Sequence, residues 1–176
     1  MDELHAMDSR EIDSLKIVKE FKYQRHNFVI KKFPYPDGYF DSISAYDVIE
    51  HIPRQIMMGD ELVYPFIRIM NEIHRTLKKG GKFIATTPGY PRPEDFQDPT
   101  HVNIITLETI KYFSGIDALG KMYGFEGDFE IKTNKFCVKE SYVDMSISAR
   151  KIFLRRWHRK IFKKGWSHIV WEIIKK

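Results

Sequence analysis

The chain has 176 residues, 43% of them apolar and 14% aromatic, which is enough for one domain with a proper core and too apolar for a disordered protein. It contains no run of eighteen or more apolar residues and no basic-then-apolar leader pattern, so neither membrane spanning nor secretion is indicated and a cytoplasmic location is expected. The single cysteine, Cys137, excludes an internal disulfide and a cysteine-cluster metal site, and the net charge of +5 divides into −4 for residues 1–144 and +9 for residues 145–176.

Leu4, Ala6 and Met7 before Asp8 predict the end of a short strand, with a helix after it carrying Ile12, Leu15, Ile17 or Val18, and Phe21 on one side. Phe28-Val29-Ile30 reads as another short buried strand. Pro36-Asp37-Gly38 is a turn signal, because proline presets one dihedral and glycine accepts a positive one. A strand is expected from Phe40 to about Tyr46, with Ile43 and Ala45 on one face and Ser42 and Ser44 on the other. Leu62, Phe66, Ile69, Met70, Ile73 and Leu77 recur at helical steps, and Pro65 fits the first turn of that helix. Gly80 and Gly81 are expected to end it, with Lys78 and Lys79 suiting the negative end of its dipole. Lys82-Phe83-Ile84-Ala85-Thr86-Thr87-Pro88 is the next strand, so the stretch forms a βαβ unit and predicts a parallel sheet with a right-handed crossover.

The order Phe33-Pro34-x-Pro36-Asp37-Gly38-x-Phe40-Asp41, Asp47-Val48-Ile49-Glu50-His51-Ile52, Glu72-Ile73-x-Arg75-x-Leu77-Lys78-x-Gly80-Gly81-Lys82 and Thr86-Thr87-Pro88 resembles the middle and later part of a class I S-adenosylmethionine-dependent methyltransferase domain of the type 11/23 kind. That resemblance implies an α/β, Rossmann-like sheet, mostly parallel with an antiparallel pair at its C-terminal edge, and S-adenosylmethionine as cofactor. In such domains an acidic residue ending the second strand holds the ribose hydroxyls, which points to Asp8, although an Asp before Ser-Arg-Glu also suits a helix N-cap. Tyr46 and Asp47 are the further cofactor-side residues. The family's first strand and its Gly-rich loop find no counterpart, and no Gly-x-Gly occurs in the chain. The sheet is therefore expected to be N-terminally incomplete, the isolated chain to bind the cofactor weakly, and a complementing chain or N-terminal segment to be a partner.

After Pro88, three prolines between residues 91 and 99 mark an ordered but irregular loop at the carboxyl end of the sheet, where open α/β proteins bind ligands. Phe96, Asp98, His101 and Asn103 are candidate substrate-side residues there. Asp47, Glu50 and His51 are the candidate polar groups near the methyl group, with His101 as the base. Asp47-x-x-Glu50-His51 with His101 also resembles the metal ligands of small-RNA 2′-O-methyltransferases and of some quinone-pathway O-methyltransferases. Asp stands at the first position where Glu is usual, and Glu-His occurs widely in metal-free relatives, so no metal is assigned.

Thr106 reads as the N-cap of a helix over Leu107–Phe113, Ile116–Tyr123 as a further helical segment, and Phe129–Val138 and His168–Ile174 as an antiparallel strand pair. Between those strands, residues 146–164 form a basic amphipathic pattern. Ile147, Phe153, Leu154, Trp157 and Ile161 share one arc, opposite Arg155, Arg156, Arg159, Lys160 and Lys163. It suits packing on the sheet, peripheral attachment to an anionic membrane, or capture of an acidic or nucleic-acid ligand, with the membrane favoured by the accompanying Trp and Phe. The expected protein is one methyltransferase-like domain over 1–176. It would transfer a methyl group to an unidentified small-molecule, glycan or lipid-linked acceptor. The competing expectation is a non-catalytic module that binds through the basic helix.

Overall fold

The computed structural model describes residues 3–11, 21–138 and 166–176. The helix expected over Ile12–Phe21 and the basic helix at 146–164 fall almost wholly outside these residues. No helix among the described residues is long and apolar enough to cross a membrane.

The fold is α/β and Rossmann-like, with its strands in three groups. β1 (His5–Asp8) pairs in parallel with β2 (Lys22–Arg25). β3 (Phe40–Tyr46), β6 (Leu77–Pro88), β8 (His168–Lys175) and β7 (Phe129–Cys137) form a four-stranded sheet in the order β3-β6-β8-β7. Its β3–β6 ladder is parallel, whereas β8 runs antiparallel to both its neighbours. A small hairpin of β4 (Ile56–Met58) and β5 (Glu61–Val63) precedes helix α1 (Pro65–Thr76).

Helix α1 begins at Pro65, whose missing N–H costs nothing there. Phe66, Ile69, Met70 and Ile73 are buried along it and share a core with Leu77, Phe83, Ala85, Trp171 and Ile173 of the sheet. Phe113, Phe125 and Phe129 extend that core in edge-on and stacked ring contacts. Leu62 departs from the predicted helical stripe: it sits in β5 and is half exposed. The predicted glycine stop also differs. The helix closes at Thr76 and Leu77 already pairs with Phe40, after which residues 78–81 bulge out before Lys82 pairs with Ser42. Gly80 takes φ 76° in that bulge, and a Cβ on Gly81 would lie 2.8 Å from the Lys78 carbonyl oxygen.

The strand expected at Phe28–Ile30 is a turn, and β2 lies earlier, at Lys22–Arg25. Asn27 decides this locally, since its side chain accepts from the Val29 N–H at 3.2 Å and its carbonyl from the Lys31 N–H at 3.1 Å. The helices expected after Thr106 are short 3₁₀ segments, Thr109–Phe113 and Leu119–Tyr123. The Thr106 hydroxyl does accept from the Glu108 N–H, at 3.2 Å.

One side chain fixes the entry into β3. The Arg75 guanidinium donates to both carboxylate oxygens of Glu72, to the Asp37 carboxylate and to the backbone carbonyls of Phe33 and Tyr35, at 2.7–3.1 Å. Glu72 in turn accepts from the Phe33 N–H at 2.7 Å. The Asp37–Gly38 turn is thereby held against the end of α1, where Gly38 and Tyr39 donate to the carbonyls of Arg75 and Thr76 at 2.9 and 2.8 Å. Arg75→Ala is expected to lower stability by about 3 kcal/mol, because several charge-assisted bonds vanish and Glu72 loses its counter-charge. Arg75→Lys should recover only part of this in urea denaturation, since lysine lacks the planar fork.

Candidate functional site

The site is built on the carboxyl ends of β3 and β6. β3 stops at Tyr46, and Asp47 follows with φ 51°, a left-handed backbone that costs a non-glycine residue about 1–2 kcal/mol. Its N–H donates to the Thr86 carbonyl at 2.9 Å, which holds the reversal in place. The chain then enters a 3₁₀ turn, Ile49–His51, that carries Glu50 inward over the sheet. From the other side comes the proline-rich loop. The Val102 and Asn103 N–H groups both donate to the Glu50 carbonyl at 2.9 Å, and the Asn103 side chain donates to the Ile49 carbonyl at 3.0 Å. Residues fifty positions apart are thus stitched together by backbone bonds.

Three of the predicted catalytic residues converge. One donor atom each from Glu50, His51 and His101 lies within 4.8 Å of the others, and the two imidazole rings meet edge to face at 4.8 Å. Glu50 is fully buried. One of its oxygens accepts from the Thr87 hydroxyl at 2.9 Å, and the other has no hydrogen-bond partner among the described residues. Burial pushes its pKa up, opposed only in part by its own backbone N–H and the Thr87 bond.

Both imidazoles are oriented through Nδ1. His101 Nδ1 lies 3.1 Å from the Asp95 carbonyl oxygen, and His51 Nδ1 lies 3.2 Å from the Thr100 carbonyl oxygen and 3.0 Å from the Thr100 hydroxyl. A carbonyl can only accept, so in each neutral ring Nδ1 carries the proton and Nε2 the lone pair. The Thr100 hydroxyl donates in turn to Asp98 at 2.6 Å. A carboxylate and two imidazoles with free lone pairs can accept a proton or ligate a divalent ion, and this donor set suits a first-row transition metal better than Mg²⁺.

The remaining predicted residues stand apart from this cluster. Asp47 lies beside His168, with 3.2 Å between its carboxylate and Nε2. Asp8 ends β1, where Arg10 donates to its carboxylate through the backbone at 2.9 Å and through the guanidinium at 2.6 and 3.0 Å. Those Arg10 bonds hold the Asp8 carboxyl below its ordinary range. Tyr46 is exposed at the end of β3, and Phe96 is exposed beside Tyr90. Asn103 is buried as a structural tie rather than facing an acceptor.

Three site residues escape sequence reading. Thr87 sits in the Thr-Thr-Pro motif, but only folding shows that its hydroxyl meets Glu50. His168 reads as the first residue of a strand. Asp95 reads as an ordinary acid in the proline-rich loop, yet it is 2% exposed, both its oxygens lack a hydrogen-bond partner among the described residues, and burial raises its pKa. Cys137 is buried, its thiol pushed up to about 11 by burial.

The raised Glu50 gives a pH test. A carboxyl whose pKa is higher folded than unfolded supports the fold fully below the ordinary value of 4.5, and that support is lost as the pH climbs through the raised value. Wild-type stability is therefore expected to fall relative to Glu50→Gln as the pH rises above about 4.5, measured by urea denaturation. Parallel curves for the two proteins would mean that Glu50 ionises without cost.

Residues 10–85 match the family model described as a methyltransferase domain. No curated protein matches the chain. Among solved structures, it is similar to a SAM-dependent methyltransferase from Archaeoglobus fulgidus, with 17% identity, a TM-score of 0.56, and 98% of this chain and 75% of that one covered. It is likewise similar to an S-adenosylmethionine-dependent methyltransferase from Mesorhizobium loti, with 13% identity, a TM-score of 0.58, and 99% and 80% covered. At such identities these likenesses speak for the fold, and they agree with the family match, which begins after β1 and runs through β2, β3 and α1 into β6. The match spans less than half of the chain, and with the shared fold it makes the chain similar to S-adenosylmethionine-dependent methyltransferases.

Proposed function

We propose that this domain transfers the methyl group of S-adenosylmethionine to a hydroxyl or amine of a small-molecule, glycan or lipid-linked acceptor. The observation that carries this reading is the convergence of Glu50, His51 and His101 at the carboxyl ends of β3 and β6, next to the strained Asp47. In the reaction, a lone pair of the acceptor attacks the methyl carbon while the carbon–sulfur bond breaks and its electrons return to sulfur. The acceptor proton must leave, and His101 is suited to take it, because its Nδ1–H is held by the Asp95 carbonyl and its Nε2 bears the lone pair. Glu50 has a carboxylate oxygen within 4.8 Å of a ring nitrogen of His101, so the imidazolium that forms would favour its ionised form against the cost of burial. On the cofactor side, Asp47 and Tyr46 leave β3 at the mouth. Asp8 would accept the ribose hydroxyls, provided Arg10 shares or gives up its two guanidinium bonds.

The test is transfer of a labelled methyl group from S-adenosylmethionine to fractionated small-molecule, glycan and lipid acceptors. His101→Ala is expected to lower transfer by roughly a hundredfold or more while leaving cofactor affinity nearly unchanged. Glu50→Ala should lower it in a way that responds to added Mg²⁺ or Mn²⁺ only if the cluster holds a metal. Unchanged turnover in both variants, with the fold intact by circular dichroism, would remove the cluster from the chemistry. Transfer to no fraction would favour a non-catalytic binding module.

A further inference from the structure

A cavity of about 590 Å³ lies where the start of α1, the loop after β6 and the 3₁₀ segment Thr109–Phe113 face one another. Its size is within the range of roughly 300–1,000 Å³ over which pockets enclose a small molecule, and beyond what a single ring fills. Phe66 and Phe113 form the floor, buried and edge to face with centroids 5.3 Å apart. Tyr64, Tyr90, Tyr112 and Tyr123, each from a different segment, stand around it, and the Tyr64 and Tyr123 rings meet at 5.6 Å. None of the four hydroxyls has a hydrogen-bond partner among the described residues. Positive charge enters the wall at Arg54. Its Nε donates to the Asn103 side-chain oxygen at 2.7 Å and Nη2 donates to the Ile104 carbonyl, while Nη1 makes no hydrogen bond among the described residues. Glu108, the acid of the lining, is held by Lys111 at 2.6 Å. Asp95 is close enough to feel the charge of Arg54, but burial is the larger effect on it and favours its neutral form.

These walls select an occupant. Aromatic side walls over a phenylalanine floor suit a planar aromatic ligand, whereas a sugar seated there would turn hydroxyls onto carbon without partners. A cation would gain from the ring faces but would meet Arg54, while an anionic group would gain a charge-assisted bond from Nη1. The unpaired phenols can donate to or accept from a ligand hydroxyl. We propose that this cavity holds the methyl acceptor, and that the acceptor is a hydroxylated aromatic carboxylic acid of two or three fused rings with its carboxylate on Arg54. Arg54 and Ile104 each stand three residues beyond an imidazole of the cluster, His51 and His101 respectively. Asn103, which accepts from Arg54, also donates to the Ile49 carbonyl, so the cavity wall is continuous with the turn that carries Glu50. As an acceptor site the cavity rests on the methyl transfer proposed above. The ligand hydroxyl oxygen forms the new bond to carbon, the carbon–sulfur bond breaks with its electrons returning to sulfur, and the phenolic proton passes to His101.

The test is a fluorescence titration of the intact chain with hydroxynaphthoate in the absence of cofactor, so that failure to bind and failure to methylate are separate results. Hydroxynaphthoate is expected to bind roughly tenfold or more tightly than naphthol, and Arg54→Gln to abolish that difference by weakening the acid alone. Arg54 also holds Asn103 and Ile104, so a second variant at the exposed rim, Tyr123→Leu, is measured beside it. It should weaken both compounds roughly threefold or more, because a ring face is lost while the fold, followed by circular dichroism, is kept. Equal binding of acid and naphthol by the wild type would make the cavity a plain apolar pocket and overturn the proposal. So would binding of neither, or tighter binding of methyl glucuronide or of naphthyltrimethylammonium, which would mark a sugar site and a cation cage respectively. Binding as expected, with the methyl group going only to compounds that do not compete for the cavity, would overturn the acceptor assignment alone. Binding as expected with no methyl transfer to any compound would overturn the transfer reading and the acceptor role with it, and would leave an aromatic-acid site.

Discussion

The ordering of this fold depends on one buried-edge ion cluster, Arg75 with Glu72 and the backbone of residues 33–37. A fork of five N–H donors meets two carboxylates and two carbonyls, so the approach to β3 is fixed in direction as well as position. The same contact completes the end of α1, because the turn it holds supplies the N–H groups for the last carbonyls of the helix. Lys175 adds a third ligand from β8, donating to the Leu77 carbonyl at 2.8 Å. Helix, crossover and the strand ends at one edge of the central sheet are therefore tied at one point, and β3 emerges in register with β6.

That register places the site. Once Ala45 stands opposite Ala85 and Tyr46 opposite Thr86, the strands end together and the reversal at Asp47 swings Glu50 over Thr87. The proline-rich loop answers by presenting its Val102 and Asn103 N–H groups to the Glu50 carbonyl. The backbone of Glu50 is thus fully used in structure while its carboxylate is left half satisfied. A carboxylate buried with one idle oxygen is costly, and so is the left-handed backbone of Asp47. Both costs fall at the carboxyl edge of the sheet, and they are sustained by the rigid β6–β8–β7 platform beneath.

The strand system is uneven. Its C-terminal half is closed on itself, with β8 bonded on both sides and Val170, Trp171 and Ile173 fully buried. Its N-terminal half is two parallel pieces separated by an apolar slot, with cofactor-side candidates on either side of it.

Much of this was legible in the residues. The helical stripe from Phe66 to Ile73, the strand from Phe40 to Tyr46 and the Pro36-Asp37-Gly38 turn follow from periods and dihedral preferences that act within a few residues. So does the antiparallel pair ending at Lys175. Glu50, His51 and His101 were singled out through the family resemblance, and the structure places their ligand atoms within 4.8 Å of one another. What the sequence could not decide were choices between near-equal local options. Apolar Phe28-Val29-Ile30 turns because Asn27 captures two backbone donors, and Leu62 joins a hairpin instead of the helix that its spacing suits. Burial was equally invisible, since Asp95 and Thr87 carry no local mark of lying beneath a loop, and neither does the exposure of Arg75 to five acceptors. The sequence by itself determined the α/β class, the order of most elements and the acidic and imidazole residues at issue. Only the tertiary structure decided which of them meet, because hydrogen bonds and desolvation depend on neighbours brought close by the chain's return, not on neighbours along it.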